Sequence, residues 1–172
     1  MAMILGKKIL VLGCSGAGKS TLSKIIEKHT GIPVYHLDSF FWNPGWVETK
    51  SDVFDARVNS ICKTEQWIID GNYTRTLERR LPLADTLIFL DFPTYLCTFR
   101  VIKRWLRYHG KTRPDMGKNC PEKIDLEFLR YIRGYPKHTR PHIIEIIKTT
   151  KKKVFHLKSP KEVEKFLLHF NS

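Results

Sequence analysis

Gly13-Cys14-Ser15-Gly16-Ala17-Gly18-Lys19-Ser20 has the form G-x-x-x-x-G-K-S, the spacing of a phosphate-binding P-loop. Its flanks have the character that such a loop needs. Lys8-Ile9-Leu10-Val11-Leu12 is a short apolar run of strand type, and Thr21 to His29 spaces its apolar residues as a helix does. Glycine tolerates the backbone angles that turn successive N–H groups inward around phosphate oxygens. The positive end of the following helix adds to the attraction. The nucleotide-binding residues are therefore expected to be Gly13, Ser15, Gly16, Ala17, Gly18, Lys19, Ser20 and Thr21. Lys19 is expected to reach the β- and γ-phosphates of ATP and so to take part in catalysis, and the Ser20 hydroxyl to ligate Mg²⁺.

Downstream, Ile32 to Leu37 reads as a second strand and runs into an aromatic loop, Asp38-Ser39-Phe40-Phe41-Trp42-Asn43-Pro44-Gly45-Trp46, that carries a Pro-Gly turn signal. Residues 51–64 read as a helix with Ser51 as N-cap and Val53, Phe54, Val58 and Ile61 on its apolar face. Gln66 to Asp70 is a third strand, 74–80 a basic helix, Thr86 to Asp91 a fourth strand, and Thr94 to Tyr108 a helix. Residues 109–121, with two glycines, two prolines and several charges, read as a lid-type loop. Helical patterns follow at 122–133 and 138–149, then a fifth strand at Lys153 to Leu157 and a last helix at 160–169. Strands alternating with helices predict an α/β fold, a five-stranded parallel sheet flanked by helices, as one domain over 1–172. Such sheets bind ligands at the carboxyl ends of their strands. The P-loop, Asp38, Asp70 and Asp91 all fall at those ends, although a strand-end Asp can equally cap the next helix.

The chain has 172 residues, 42% of them hydrophobic and 27% charged, an ordinary globular mix. No apolar run approaches the length that spans a bilayer, and Met1 to Gly6 lacks the layout of a signal peptide, which points to the cytosol and no membrane partner. Cysteines 14, 62, 97 and 120 form no C-x-x-C pair and no zinc-type spacing. They are expected to be free thiols, with Cys14, inside the P-loop, exposed and oxidisable. The net charge of +13 is uneven: residues 95–172 carry 19 Lys and Arg against 7 Asp and Glu, an excess of 12. Arginines closing over a polyphosphate would produce that bias, and so would a face that holds nucleic acid weakly and without sequence preference. Charge alone leaves both open.

Several further stretches carry a resemblance. Tyr35-His36-Leu37-Asp38, Phe41-Trp42, Pro44-Gly45-Trp46, Trp67 to Tyr73, Phe89-Leu90-Asp91-Phe92-Pro93, Lys111 to Met116 and Cys120-Pro121-Glu122-Lys123 join the P-loop in resembling the bacterial DNA topology modulation protein family over nearly the whole chain. That family is in turn similar to adenylate kinase. The resemblance implies that Asp70 helps hold magnesium, that Arg100 and Arg104 are an arginine pair leading into the lid, and that Arg113 is a lid arginine reaching the transferring phosphate. Asp38-Ser39-Phe40-Phe41 departs from adenylate kinase and is similar to the Asp-x-Phe-Tyr/Phe box of uridine and nicotinamide-riboside kinases, which implies that Asp38 takes the proton of an acceptor hydroxyl. The expected catalytic set is thus Lys19, Asp38, Arg104 and Arg113, with Ser20 and Asp70 toward the metal. The expected activity is Mg-ATP-dependent phosphoryl transfer to a nucleoside, nucleotide or other small hydroxyl compound. The alternative is an ATP-binding, DNA-associated regulator of topology. His36 and His109 are given no role, and an aromatic of the 40–46 stretch could stack a ring or pack the core.

Overall fold

Continuous apolarity, rather than alternation, marks the strands that lie in the middle of the sheet, because those strands are covered on both faces. The computed structural model describes residues 5–168. In chain order they form β1 (Lys8–Gly13), α1 (Lys19–Thr30), β2 (Val34–His36), α2 (Leu37–Phe41), β3 (Trp42–Asn43), β4 (Val47–Glu48), α3 (Ser51–Cys62), β5 (Trp67–Asp70), α4 (Thr74–Arg80), β6 (Thr86–Leu90), α5 (Thr94–Tyr108), α6 (Leu126–His138), α7 (Arg140–Thr149), β7 (Lys153–Leu157) and α8 (Pro160–Leu168). Five strands make a parallel sheet in the order β2-β5-β1-β6-β7. β1, β5 and β6 are buried almost throughout. Their side chains, among them Ile9, Leu10, Leu12, Trp67, Ile69, Leu87 and Phe89, form the core with Leu22 and Ile26 of α1 and with Cys97 and Val101 of α5.

The chain places β2 and β5 on one side of β1 and then crosses to lay β6 and β7 on the other. The loop after β1 therefore opens at the point where the strand order reverses, the crevice where open α/β sheets take ligands. The α/β class, the five parallel strands and the flanking helices agree with the reading of the sequence.

Local departures have local causes. The aromatic stretch after β2 is not a plain loop. Leu37–Phe41 turns into the short helix α2, and Trp42 and Asn43 pair antiparallel with Glu48 and Val47 across the Pro44-Gly45 turn. Ser51 is the first residue of α3 rather than its cap, a place held by Lys50 with no side-chain bond. Val53, expected on the apolar face, is exposed, whereas Phe54, Val58 and Ile61 are buried. The helix expected from 122 starts at Leu126, where the Asp125 carboxylate caps the Phe128 N–H at 2.8 Å, and runs through Pro136 to His138. The last position of the expected helix 160–169 lies outside the described residues. No helix among those described is long and apolar enough to cross a membrane.

Asp91 follows β6, but it neither caps α5 nor faces the crevice. Its carboxylate accepts two hydrogen bonds from Arg140, at 2.7 and 2.8 Å, and one from His156 Nε2 at 2.8 Å. It thereby ties α7 and β7 to the end of β6. Burial raises its pKa, but the bonds from Arg140 and His156 outweigh burial and hold it below its ordinary value of 3.8. A carboxylate whose pKa falls on folding stabilises the fold fully above its unfolded value and loses that contribution as pH drops through the folded one. Asp91→Asn is expected to destabilise the protein by about 1–2 kcal/mol at pH 7, discounted for the half-exposed Arg140. Urea unfolding should show a constant gap between the two proteins from pH 7 to about 5, closing below the ordinary carboxylate range. A gap that persists undiminished at pH 3 would contradict the assignment.

Candidate active site

The P-loop needs glycine where its chain passes close to other backbone. Gly16 has φ 85°, and a Cβ there would collide with the Cys97 carbonyl of α5. Gly13 has φ 151°, and its Cβ would lie 2.7 Å from the Leu90 carbonyl. The loop is thus seated against β6 and α5, and it delivers the chain to α1 through Gly18, whose left-handed conformation starts the helix.

One side chain fixes the start of the loop. The Asn72 carboxamide accepts from Gly13 N–H at 3.0 Å and donates to Gly13 C=O at 2.9 Å. Asn72 is held in turn by Arg80, which is fully buried and donates to the carbonyls of Gly71, Asn72 and Tyr73. Burial lowers the Arg80 pKa to about 10, so the guanidinium keeps its charge at neutral pH. Neither residue was expected from the sequence to serve the site. Asn72 stands in a stretch noted for resemblance alone, and Arg80 in a helix read only as basic.

A single crevice of about 1120 Å³ gathers most of the expected residues: Ser15, Gly16, Ala17, Gly18, Lys19, Ser20, Thr21, Asp38, Asp70, Arg104 and Arg113. Gly13 does not line it; its N–H and C=O are turned to Asn72, and its C=O also accepts from Lys19 Nζ at 3.0 Å. Lys19 Nζ donates to Cys14 C=O as well, at 3.2 Å, so the ammonium lies folded along the loop. Asp38 sits in the first turn of α2, and its Oδ1 accepts from the Tyr73 hydroxyl at 2.6 Å. Burial and the Asp38 carboxylate both push the Tyr73 phenol up, so it stays protonated and acts as the donor. Tyr73 itself has φ 31°, a left-handed conformation that is costly for a bulky residue and recurs at functional sites.

Asp70 Oδ2 accepts from His36 Nδ1 at 2.6 Å. His36, given no role from the sequence, orients a carboxylate of the crevice. Nothing in its local sequence signals this, because the contact joins β2 to the end of β5. Cys14 corrects another expectation. It is 1% exposed rather than accessible, and it is hydrogen-bonded to the equally buried Cys97, a bond that together with burial pushes its thiol pKa up. All four cysteines are free and buried.

The lid arginines are held by carboxylates. Glu122 Oε1 accepts from Arg104 Nε at 2.8 Å, and its Oε2 is 2.6 Å from Arg113 Nε, an ion pair rather than an aligned hydrogen bond. Arg113 also donates to Asp115 at 2.9 Å. Burial alone would raise the Asp115 pKa, but Arg113 and the Ser20 hydroxyl hold it below the ordinary carboxylate range. Asp115 and Glu122 thus also line the crevice; in the sequence the first was hidden among the charges of a loop and the second at the start of an expected helix. The lid is docked on the β3–β4 hairpin: Gly45 N–H donates to Asn119 C=O at 2.9 Å, Trp46 Nε1 to Pro121 C=O at 3.0 Å, and the Cys120 thiol to Asn43 C=O at 3.2 Å. Arg100 donates to Ala17 C=O at 3.2 Å and lies over the Phe92 ring.

The donors available to a metal are hard oxygens, the Ser20 hydroxyl with the carboxylates of Asp38, Asp70 and Asp115. Among the described residues no three His, Cys, Asp or Glu side chains form a cage. That combination fits Mg²⁺, which keeps several waters and takes phosphate oxygens beside one or two protein ligands, and it does not fit a dedicated protein-only site.

No family model matches the sequence, and no curated protein matches it. Solved structures do. A shikimate kinase from Acinetobacter baumannii, in complex with shikimate, is 16% identical with TM-score 0.63, covering 93% of this chain and 88% of that one. A deoxyadenosine kinase from M. mycoides, with products dCMP and dCDP bound, is 15% identical with TM-score 0.50, covering 95% and 98%. At such identity the likeness is one of fold: the chain has the P-loop α/β architecture that nucleotide and small-molecule kinases share.

Proposed function

We propose that the protein transfers the γ-phosphoryl group of Mg-ATP to a hydroxyl of a small acceptor. The observation that carries the reading is that Asp38 lines the same crevice as Lys19 and Ser20 while Tyr73 holds one of its oxygens and leaves the other available. The P-loop amides and Lys19 bind the phosphates. The acceptor oxygen attacks the γ-phosphorus, the bond from that phosphorus to the bridging oxygen breaks, and ADP leaves with the electron pair. The acceptor proton passes to Asp38. Arg104 and Arg113 exchange carboxylate partners for phosphate oxygens, a geometry that the guanidinium fork matches. Ser20 and Asp70 would hold Mg²⁺, which would supply charge neutralisation at the phosphates. The lid against the hairpin excludes water, which would otherwise compete as acceptor.

Arg100, Lys103, Arg104, Arg107 and Arg113 line the crevice on the side of the P-loop, where a polyphosphate would take them as partners; the rest of the basic excess of residues 95–172 lies elsewhere. The resemblance to the topology modulation proteins fits a kinase of this kind, working in the cytosol as one domain.

Lys19→Ala is expected to weaken Mg-ATP binding by about 2–3 kcal/mol, the value of a charge-assisted phosphate contact, with an unchanged unfolding transition. Calorimetry that finds wild-type affinity in the folded variant would contradict the proposal. Asp38→Asn is expected to leave ATP affinity nearly unchanged and to lower kcat by about 10²–10⁴, because a general base acts mainly in the transition state. A variant that turns over normally with an identified acceptor would remove Asp38 from the mechanism.

A further inference from the structure

The two walls of the crevice differ in charge. The wall built by α1, α5 and the lid bears the cations, Lys19, Arg104 and Arg113 among them. The facing wall is built by α2, the β3–β4 hairpin and the loop after β5. The charged residues that it contributes, between 38 and 74, are Asp38, Glu48 and Asp70, all of them acidic. The same wall supplies rings. Phe41 and Trp42 are 4.9 Å apart and nearly perpendicular, and Trp42 and Trp46 are 5.4 Å apart. Trp42 and Glu48 are directly opposed in the hairpin, so they share one face of it.

We infer, on the reading given under Proposed function, that the acceptor is an alcohol bearing no anionic group, neutral or cationic, with its ring or ammonium against Trp42 and Trp46 and its hydroxyl at Asp38. A phosphate or carboxylate on the acceptor would meet a wall of like charge, and discrimination by such a wall is as effective as attraction. A cation is drawn both to the ring faces and to Glu48. The nearby cations do not reverse this balance. Arg57 is turned to Phe40 C=O and Arg75 to Asp55, at 2.8 and 2.7 Å. Lys123, itself part of the lining, lies over the Trp46 ring at 5.1 Å, and Asp125 Oδ2, 3.5 Å from its ammonium, offsets its charge. The inference separates this crevice from sites built for nucleoside monophosphates or hydroxy acids.

The test loads the full chain with Mg²⁺ and a non-hydrolysable ATP analogue and titrates matched pairs while following tryptophan fluorescence. The pairs are a nucleoside against its 5′-monophosphate and an aromatic amino alcohol against the corresponding hydroxy acid. The uncharged or cationic member of at least one pair is expected to bind tenfold or more tightly than its anionic partner. Glu48→Gln should cut that preference, and Glu48→Lys should bring the two members within threefold or reverse them, with circular dichroism reporting the fold. Equal or tighter binding of the anionic members, or no saturable response to any member, overturns the inference. Repeating the titration with Mg-ATP separates the two claims: an alcohol that binds with the stated preference yet yields neither ADP nor phosphorylated product upholds the acceptor class and overturns phosphoryl transfer.

Discussion

The Gly13 peptide, N–H and C=O together, is held by the carboxamide of Asn72, and the remaining geometry of the crevice depends on that clamp. A P-loop works because its amides are already aimed before phosphate arrives; a loop free to fluctuate would spend binding energy on ordering itself. Asn72 is reliable because Arg80 sits beneath it, fully buried, with three backbone carbonyls as acceptors. Hydrogen bonds from a charged group contribute about 1.5–3 kcal/mol each, and a buried cation without them would be costly. The loop after β5 therefore has little freedom. From it Tyr73 reaches Asp38, Asn72 reaches the P-loop, and Asp70 meets His36. Three strand ends are registered to one another through four consecutive residues.

The lid arginines illustrate the opposite design. Arg104 and Arg113 are bonded to Glu122 and Asp115, which are themselves buried. Burial lowers the Arg104 pKa, and the neighbouring Arg113 lowers it further, while Glu122 works against both. Two guanidiniums are balanced by two carboxylates, with Glu122 bridging both and Asp115 taking Arg113 as well, so a polyphosphate that draws the arginines across has to replace these pairs with contacts of equal strength. A carboxylate and a phosphate oxygen make similar demands on the guanidinium fork, so the side chains are already near the geometry that the ligand requires.

Much of this was legible in the sequence, and the boundary is physical. The P-loop, the buried strands and the long helices are encoded in local periodicity, and Lys19, Ser20, Asp38, Asp70, Arg104 and Arg113 were read from motif, strand end or resemblance. What was hidden is whatever depends on two distant segments meeting. His36 is an ordinary strand residue until β2 lies beside β5. Arg80 looks like helix surface until the loop ahead of it folds back over its guanidinium. Cys14 looks accessible inside a glycine-rich loop until α5 covers it. Asp91 looks like its strand-end counterparts until Arg140, forty-nine residues later, takes its carboxylate. The aromatic stretch was ambiguous for another reason: five residues of helix and two-residue strands are too short to show a period.

The division of charge across the crevice follows from what each wall is anchored to. In the proposed reaction α5 and the lid bring their cations to a polyphosphate; those cations repel one another unless carboxylates are interleaved, which is the part played by Glu122 and Asp115. In the proposed reaction the opposite wall holds no phosphates, which leaves its carboxylates for the acceptor hydroxyl, the metal and the rim of the hairpin. A base placed there is useful only if the cations across the crevice do not bind it as tightly as they bind Glu122. Asp38 escapes that capture because its partner is the neutral hydroxyl of Tyr73 rather than a guanidinium. A neutral donor fixes the orientation of one carboxylate oxygen without adding a cation that an acceptor hydroxyl would have to displace.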